Sequence, residues 1–446
     1  MCQRNRATRL FAFVAVTAPW LCAQQDPPRE AYHPLAGMDQ DGRIERPQLP
    51  DDLPNPERWR YTPPGRIMPG NPLERFLVSS FITPLLFRDE DIGAGGGIAL
   101  TDIDFRNQDY REFANVLLTY SEEGQQAYRV NWRRWLNHRK LGNGGVIRDE
   151  RSILSGQIGY EKTLTRRFYG FGSRSDETAE TSYSEEFPAI ALGIQSSLPD
   201  AGDDLLVSAG MRLEHHELGR GRVSTVPTTA AMFPQVFAAG DDLDQLWLNL
   251  GLAYDTRDSL HQPYRGWRIG VHAATAVQTG GEVGSIVGVE ARHVFPLRPL
   301  LHRGGDHREE NPPTDVLAIA AFVNDTIGEL PFHNLPTLGG SYTLRGYIDN
   351  RFTDQSTTHA SIEYRVGLVP RGFAVTDTIR VDRISLAFFY EGGTLADSFG
   401  DLTRGRYLDS WGMGLRLGFA REASFRIDLG FSDEDTNLIL AFGNSF

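Results

Sequence analysis

Cysteine is almost absent from this chain. Its 446 residues hold two, Cys2 and Cys22, and both fall within the first 23 positions. The remainder has none, which excludes disulfides, cysteine metal sites and thiol nucleophiles there. Long apolar runs are missing as well. After Ala23 no stretch of 18 or more apolar residues occurs, so no membrane helix is expected. Positive charge is in deficit, with 45 Lys and Arg against 58 Asp and Glu and a net charge of −13. That balance counts against a nucleic-acid partner. Enzyme signatures are lacking too: there is no Gly-x-Ser-x-Gly elbow and no P-loop. Gly93-Ala94-Gly95-Gly96-Gly97 opens a strand pattern rather than a helix, which argues against a dinucleotide site. His215 and His216 are adjacent in a strand pattern and point to opposite faces, an awkward arrangement for joint metal ligation. No catalytic residue, cofactor or metal is expected.

What is present begins with an export signal. Arg4, Arg6 and Arg9 form a basic start, Leu10 to Cys22 is mostly apolar, and Ala23 offers a cleavage point. Residues 1–23 are therefore expected to be a signal peptide, and its removal carries the net charge from −13 to −16. Residues 24–75 differ from the rest, holding 11 of the 25 prolines. Proline removes backbone donors and biases its predecessor away from helix, so a disordered, periplasmic proline-rich arm is expected.

From Phe76 onward the pattern is strands. Ile362, Tyr364, Val366 and Leu368 alternate with Ser361, Glu363, Arg365 and Gly367. Ile384, Leu386, Phe388 and Tyr390 alternate with Ser385, Ala387, Phe389 and Glu391. Trp411, Met413, Leu415 and Leu417 alternate with Gly412, Gly414 and Arg416, and Phe425, Ile427, Leu429 and Phe431 with Arg426, Asp428 and Gly430. One face is greasy and the other carries glycine and charge, which fits a sandwich core or the lipid face of a barrel. The signal and the terminal Phe446 favour the barrel. Eleven segments before residue 330 and five after it give sixteen, an even number suited to bacterial barrels. The mean hydropathy of −0.35 suits a wall in which only every second residue is apolar. The expected fold is all-β: a transmembrane antiparallel barrel over 76–446.

Three motifs stand out. In Leu338-Gly339-Gly340-Ser341-Tyr342-Thr343-Leu344-Arg345-Gly346-Tyr347 the glycines permit a tight fold-back, and Arg345 is a planar fork suited to carboxylates. Alternation puts Glu363 and Glu391 on the inward face of the next two strands. If the loop enters the lumen they are natural partners for Arg345; on spacing alone it is equally an exposed hairpin arginine. The second motif, Tyr254-Asp255-Thr256-Arg257-Asp258 with Pro263 and Gly266, is a charged turn bounded by proline and glycine. The third, Arg167-Phe168-Tyr169-Gly170-Phe171-Gly172, suits a strand end at a membrane interface. Asp433-Glu434-Asp435 reads as a solvated acidic loop.

Together with the final aromatic, these motifs resemble the bacterial surface antigen family, the barrel shared by BamA and TamA in the outer membrane protein 85 superfamily. The resemblance covers about Phe76 to Phe446, and the loop of Leu344, Arg345, Gly346 and Tyr347 is its most specific part. It implies sixteen strands with an inward-folded sixth surface loop whose arginine meets acidic residues on the following two strands, Glu363 and Glu391 here. Members commonly carry aspartate at the second position, where this chain has Glu391-Gly392-Gly393. It implies a periplasmic place for the turn of Asp255, Arg257, Asp258, Pro263 and Gly266. Leu440, Phe442 and Phe446 resemble the strand signal that barrel assembly machinery reads. Residues 24–75 cannot hold a POTRA module, so the chain resembles short members without them.

The expected site is the outer membrane, with lipid and lipopolysaccharide around the barrel and the assembly machinery as partner for its own insertion. Client proteins or a POTRA-bearing subunit are further expected partners. The first functional reading is assistance in inserting or translocating proteins. A passive channel is the second, drawing on mixed lumen charges such as Arg212, Glu214, Arg416 and Asp428. A membrane hydrolase using a pair such as His359 and Ser361 is the third.

Overall fold

The computed structural model describes residues 33, 35–67, 76, 79–89, 92–374, 380–419 and 423–443. The expected signal segment 1–23 and Phe446 lie outside the described residues. Sixteen long strands build one antiparallel sheet: β1 (Ser80–Asp89), β2 (Gly93–Asp102), β3 (Glu112–Ser121), β4 (Gln126–Trp135), β5 (Ile153–Phe168), β6 (Thr181–Leu198), β7 (Leu205–Arg220) and β8 (Asp242–Asp255). The second half comprises β9 (Gly266–Gln278), β10 (Val283–Leu297), β11 (Asp315–Gly328), β12 (Ser356–Val369), β13 (Arg380–Ala396), β14 (Leu408–Phe419), β15 (Ala423–Phe431) and β16 (Thr436–Phe442). Each pairs with its neighbour in the chain, and the sheet rolls into a barrel. No ladder joins β1 to β16 among the described residues, so the roll has a seam there.

Alternation decides which side chain faces which way. On β8, Leu248, Leu250, Leu252 and Tyr254 stand exposed on the outside, whereas Gln245, Trp247, Ala253 and Asp255 are buried within. β14 repeats this, with Trp411 and Met413 outside and Arg416 inside. The exposed apolar residues recur around the sheet, from Leu86 and Ile98 to Leu438 and Leu440, as an outward girdle. No helix among the described residues is long and apolar enough to cross a membrane.

Antiparallel order puts the connections 103–111, 136–152, 199–204, 256–265 and 298–314 at one end and the 329–355 connection at the other. The latter is the sixth at its end. The expectation of a disordered arm over 24–75 is corrected for the described residues 35–67. Trp59–Thr62 pairs with Val146–Asp149, which pairs with His138–Lys140, a small sheet of its own. This sheet also explains the length of the 136–152 connection.

From there the arm reaches round the same end of the barrel. Arg46 N donates to Arg308 O at 2.7 Å, and Asn55 Nδ2 to Asp203 Oδ1 at 2.6 Å. Arg58 pairs with Asp204 at 2.7 Å and donates to Thr256 O at 3.1 Å. The hydroxyl of Tyr110 donates to Arg66 O at 2.8 Å. Proline favours an extended backbone, and that conformation suits strand addition and carbonyl-by-carbonyl contact. Guanidinium groups and the buried Leu53 and Ile67 supply the contacts that a count of prolines misses.

Candidate functional site

The 329–355 connection folds back into the barrel instead of standing out from it. Thr337–Leu338 pairs with Phe352–Thr353 at its base. Gly339 and Gly340 adopt φ of +109° and +103°, a region that L side chains rarely occupy. A Cβ on Gly340 would also collide with the Asp349 carboxylate. The fold-back is closed by Tyr347 N donating to Leu344 O at 2.9 Å and Gly340 N to Tyr347 O at 3.1 Å. Leu338, Leu344, Tyr347 and Phe352 are then buried against Leu395 and Leu408 of the wall. Burial on that scale stabilises by about 1.5–3 kcal/mol per large side chain.

At the tip, Arg345 is fully buried. Its backbone N–H donates to Glu391 Oε2 at 2.7 Å and its Nε to Glu391 Oε1 at 3.0 Å. Nη1 donates to Glu363 Oε2 and to Asp428 Oδ2, each at 3.0 Å. The guanidinium carbon lies 3.4 Å from the centre of the Phe389 ring, a cation–π contact in a site closed to water. Glu363 also accepts from Arg365 Nε and Arg416 Nη2, both at 2.7 Å. Asp428 accepts from Arg426 Nη1 at 2.5 Å and from Arg416, and Glu391 from Ser410 at 3.2 Å. Charges out of water are tolerable only when paired in this way.

The loop is held along its flanks too. A Cβ on Gly346 would collide with the Phe431 backbone, and one on Gly430 with Arg345 O, so loop and β15 meet backbone to backbone. The Tyr347 hydroxyl donates to Asp433, and Arg351 pairs with Glu434 at 2.6 Å. The acidic turn expected to be solvated is thus a docking point for the loop. The aromatic-glycine motif is corrected likewise. Phe168 and Tyr169 are buried, Gly172 N donates to Thr353 O at 2.9 Å, and Arg351 lies 4.2 Å from the centre of the Tyr169 ring. Phe168 and Tyr169 thus face the loop, whereas Phe171 stays exposed.

Elsewhere the singled-out residues have other surroundings. Asp255 is buried and accepts from Arg257 Nη2 at 2.7 Å and Arg268 Nη1 at 3.2 Å. Arg151 caps the Asp255 and Arg257 carbonyls at 2.6 and 2.7 Å. Asp258 Oδ1 accepts from the backbones of Tyr264 and Arg265 at 3.0 and 3.1 Å. Pro263 is buried, and Gly266 turns the chain at φ +109°. Leu440 faces outward and Phe442 pairs with Phe425. The lumen charges invoked for a channel neutralise one another: Arg212 pairs with Glu214 at 2.7 Å, and Arg416 with Glu363 and Asp428. Among the described residues Ser361 Oγ has no hydrogen-bond partner, His359 included.

The Omp85 superfamily domain matches residues 114–446, a stretch that includes the loop, its arginine and all three carboxylates. No curated protein matches the chain. Among solved structures, BamA from Haemophilus ducreyi lacking POTRA domains 1-3 is similar over 82% of this chain and 69% of its own, at 14% identity and a TM-score of 0.47. CdiB from Acinetobacter baumannii is similar over 83% of this chain and 66% of its own, at 11% identity and a TM-score of 0.43. The chain therefore spans about two thirds of each. With well over half its length matched by this family's domain, the chain is a member of the Omp85 superfamily.

Proposed function

We propose that this barrel sits in a bacterial outer membrane, its apolar girdle in lipid, and assists the insertion or translocation of proteins there. The observation that carries the reading is the buried node of Arg345 with Glu363, Glu391 and Asp428. It straps a folded-in loop to β12, β13 and β15, so that side of the wall is stiff. Bending is then concentrated at the seam between β1 and β16, which no ladder crosses among the described residues; strand edges there can template an incoming strand or part sideways into lipid. Lipid and lipopolysaccharide surround the girdle. The assembly machinery inserts the barrel itself, and a client chain or a POTRA-bearing subunit is the partner of its work.

A passive channel fits less well. The loop occupies one side of the lumen, the arm packs on the opposite end, and the inward charges Arg212, Glu214, Arg416 and Asp428 are held in ion pairs. The test is a pull-down of the intact protein from outer membranes, with and without residues 24–75. Barrel precursors or a POTRA-bearing subunit captured by the intact form support the reading. An empty capture together with steady bilayer conductance contradicts it.

A further inference from the structure

Near the root of the folded-in loop lies a second cluster, unconnected with the arginine. Glu185 projects inward from β6 and His216 from β7, while His333 comes from the short turn Phe332–Asn334 that opens the loop. One ligand atom from each lies within 4.8 Å of the others. His216 Nδ1 is 2.9 Å from Glu185 Oε1 and its Nε2 is 3.1 Å from Glu214 Oε1. The two imidazoles stand 4.8 Å apart, centre to centre.

His333 is the informative member. Both of its ring nitrogens are closed to solvent, and neither has a hydrogen-bond partner among the described residues. A buried polar atom left unpaired is costly, and an ion is one standard remedy. Space around it is tailored as well, since a Cβ on Gly240 would stand 2.9 Å from His333 Cε1. The adjacent pair His215-His216 is unfit for joint ligation, as alternation implies: only His216 turns inward, and its partner imidazole comes from far along the chain.

We infer that Glu185, His216 and His333 form a transition-metal site that staples the root of the folded-in loop to the barrel wall. Two imidazoles and a carboxylate suit Zn²⁺, Cu²⁺ or Ni²⁺, and not Ca²⁺ or Mg²⁺, which take oxygen cages. Zn–N bonds of about 2.0–2.1 Å place tetrahedral ligand atoms about 3.4 Å apart. The His216–Glu185 pair is already inside that span, and His333, carried on the loop, is the group that draws in. Glu214 meets the other ring nitrogen of His216, an outer-shell partner that orients the imidazole. Without metal Glu185 pairs with Arg166 and His216, and Glu214 with Arg212 and His216; with metal the loop root gains a bond to two strands.

The experiment is Zn²⁺ titration of the full chain in detergent micelles, followed by calorimetry and by limited proteolysis of the loop. One equivalent of Zn²⁺ binds and slows cleavage within 329–355. His333→Ala, folded by its mobility on semi-native gels, weakens binding by more than about a hundredfold, beyond an outer-shell effect. Co²⁺ as a second probe gives the strong visible absorption of a four-coordinate site in the wild type and not in the variant. Zn²⁺ binding that survives His333→Ala unchanged overturns the proposal, as does a wild type that binds no Zn²⁺. Should His333→Ala fail to fold, the Co²⁺ spectrum of His216→Gln replaces it: loss of the absorption supports the site, and an unchanged spectrum overturns it.

Discussion

Arg345 and Asp428 are 83 residues apart in the chain and 3.0 Å apart in space, Nη1 to Oδ2. That contact ties the loop to the penultimate strand, beside the seam, and adds a third carboxylate to the two on β12 and β13. The balance of the node follows from it. Glu363 and Asp428 have other arginines to lean on, whereas among the described residues Glu391 has Ser410 besides Arg345, the His359 imidazole at 4.0 Å, and no second arginine.

Arg345→Ala should therefore leave Glu391 as the stranded charge. Removing one partner of a buried pair costs about 3–5 kcal/mol, read as a lower unfolding temperature on semi-native gels. Adding Glu391→Gln to that variant should restore part of the loss. The exposed Arg404, paired with Asp401, serves as control, and its alanine variant should behave as wild type. Equal shifts for Arg345→Ala and Arg404→Ala would mean that the node does not hold the loop.

Gly430→Ala probes the backbone crossing, because the new methyl collides with Arg345 O. Overpacking of this kind costs about 1–3 kcal/mol. The loop should be displaced and cleaved faster by protease. Gly400→Ala, where a methyl meets nothing within 4 Å, should not change the cleavage rate.

Arg58→Ala should loosen the arm. The side chain joins Asp204 and the Thr256 and Arg257 carbonyls at the mouth of the barrel, so its loss frees the arm near β7 and β8. Planar-bilayer recordings should show larger or more frequent openings than the wild type. Identical traces would mean that the arm does not obstruct that end.

Tyr347 gives the pH test. Burial, then its hydrogen bond to Asp433, raises the phenol above its ordinary value of 10.0. The folded state thus holds the proton more tightly than the unfolded chain. Its stabilisation is complete below about pH 10 and is lost as pH rises from there toward the folded value. Heat-modifiability measured from pH 8 to 11 should fall in the wild type at the alkaline end, and less steeply in Tyr347→Phe.

Much of this is legible in the alternation of residues, and some of it is not. Period-2 patterning places Glu363, Phe389 and Glu391 on one inward face and the loop glycines permit the fold-back, but spacing alone leaves Arg345 equally an exposed hairpin arginine; its meeting with both glutamates is what the family resemblance implies. Asp428 is visible as inward-facing but not as a contact, since alternation gives the face of a strand and not which loop arrives there. The ordered arm escapes a sequence reading because proline content reports on missing donors. It is silent about Arg58 and Arg66 finding carbonyl and hydroxyl partners far along the chain. Phe168 and Tyr169 escape it for the same reason, an aromatic being equally at home against lipid or against a loop. His333 carries no local signal at all; only the three-dimensional approach of β6, β7 and the loop root brings it to His216.

The central claim is tested most directly by the rate at which a urea-unfolded outer-membrane barrel inserts into lipid vesicles containing this protein. Insertion should be faster than in empty vesicles, with the gain lost in a folded Arg345→Ala variant. No acceleration by the wild type, or full acceleration by that variant, would contradict it.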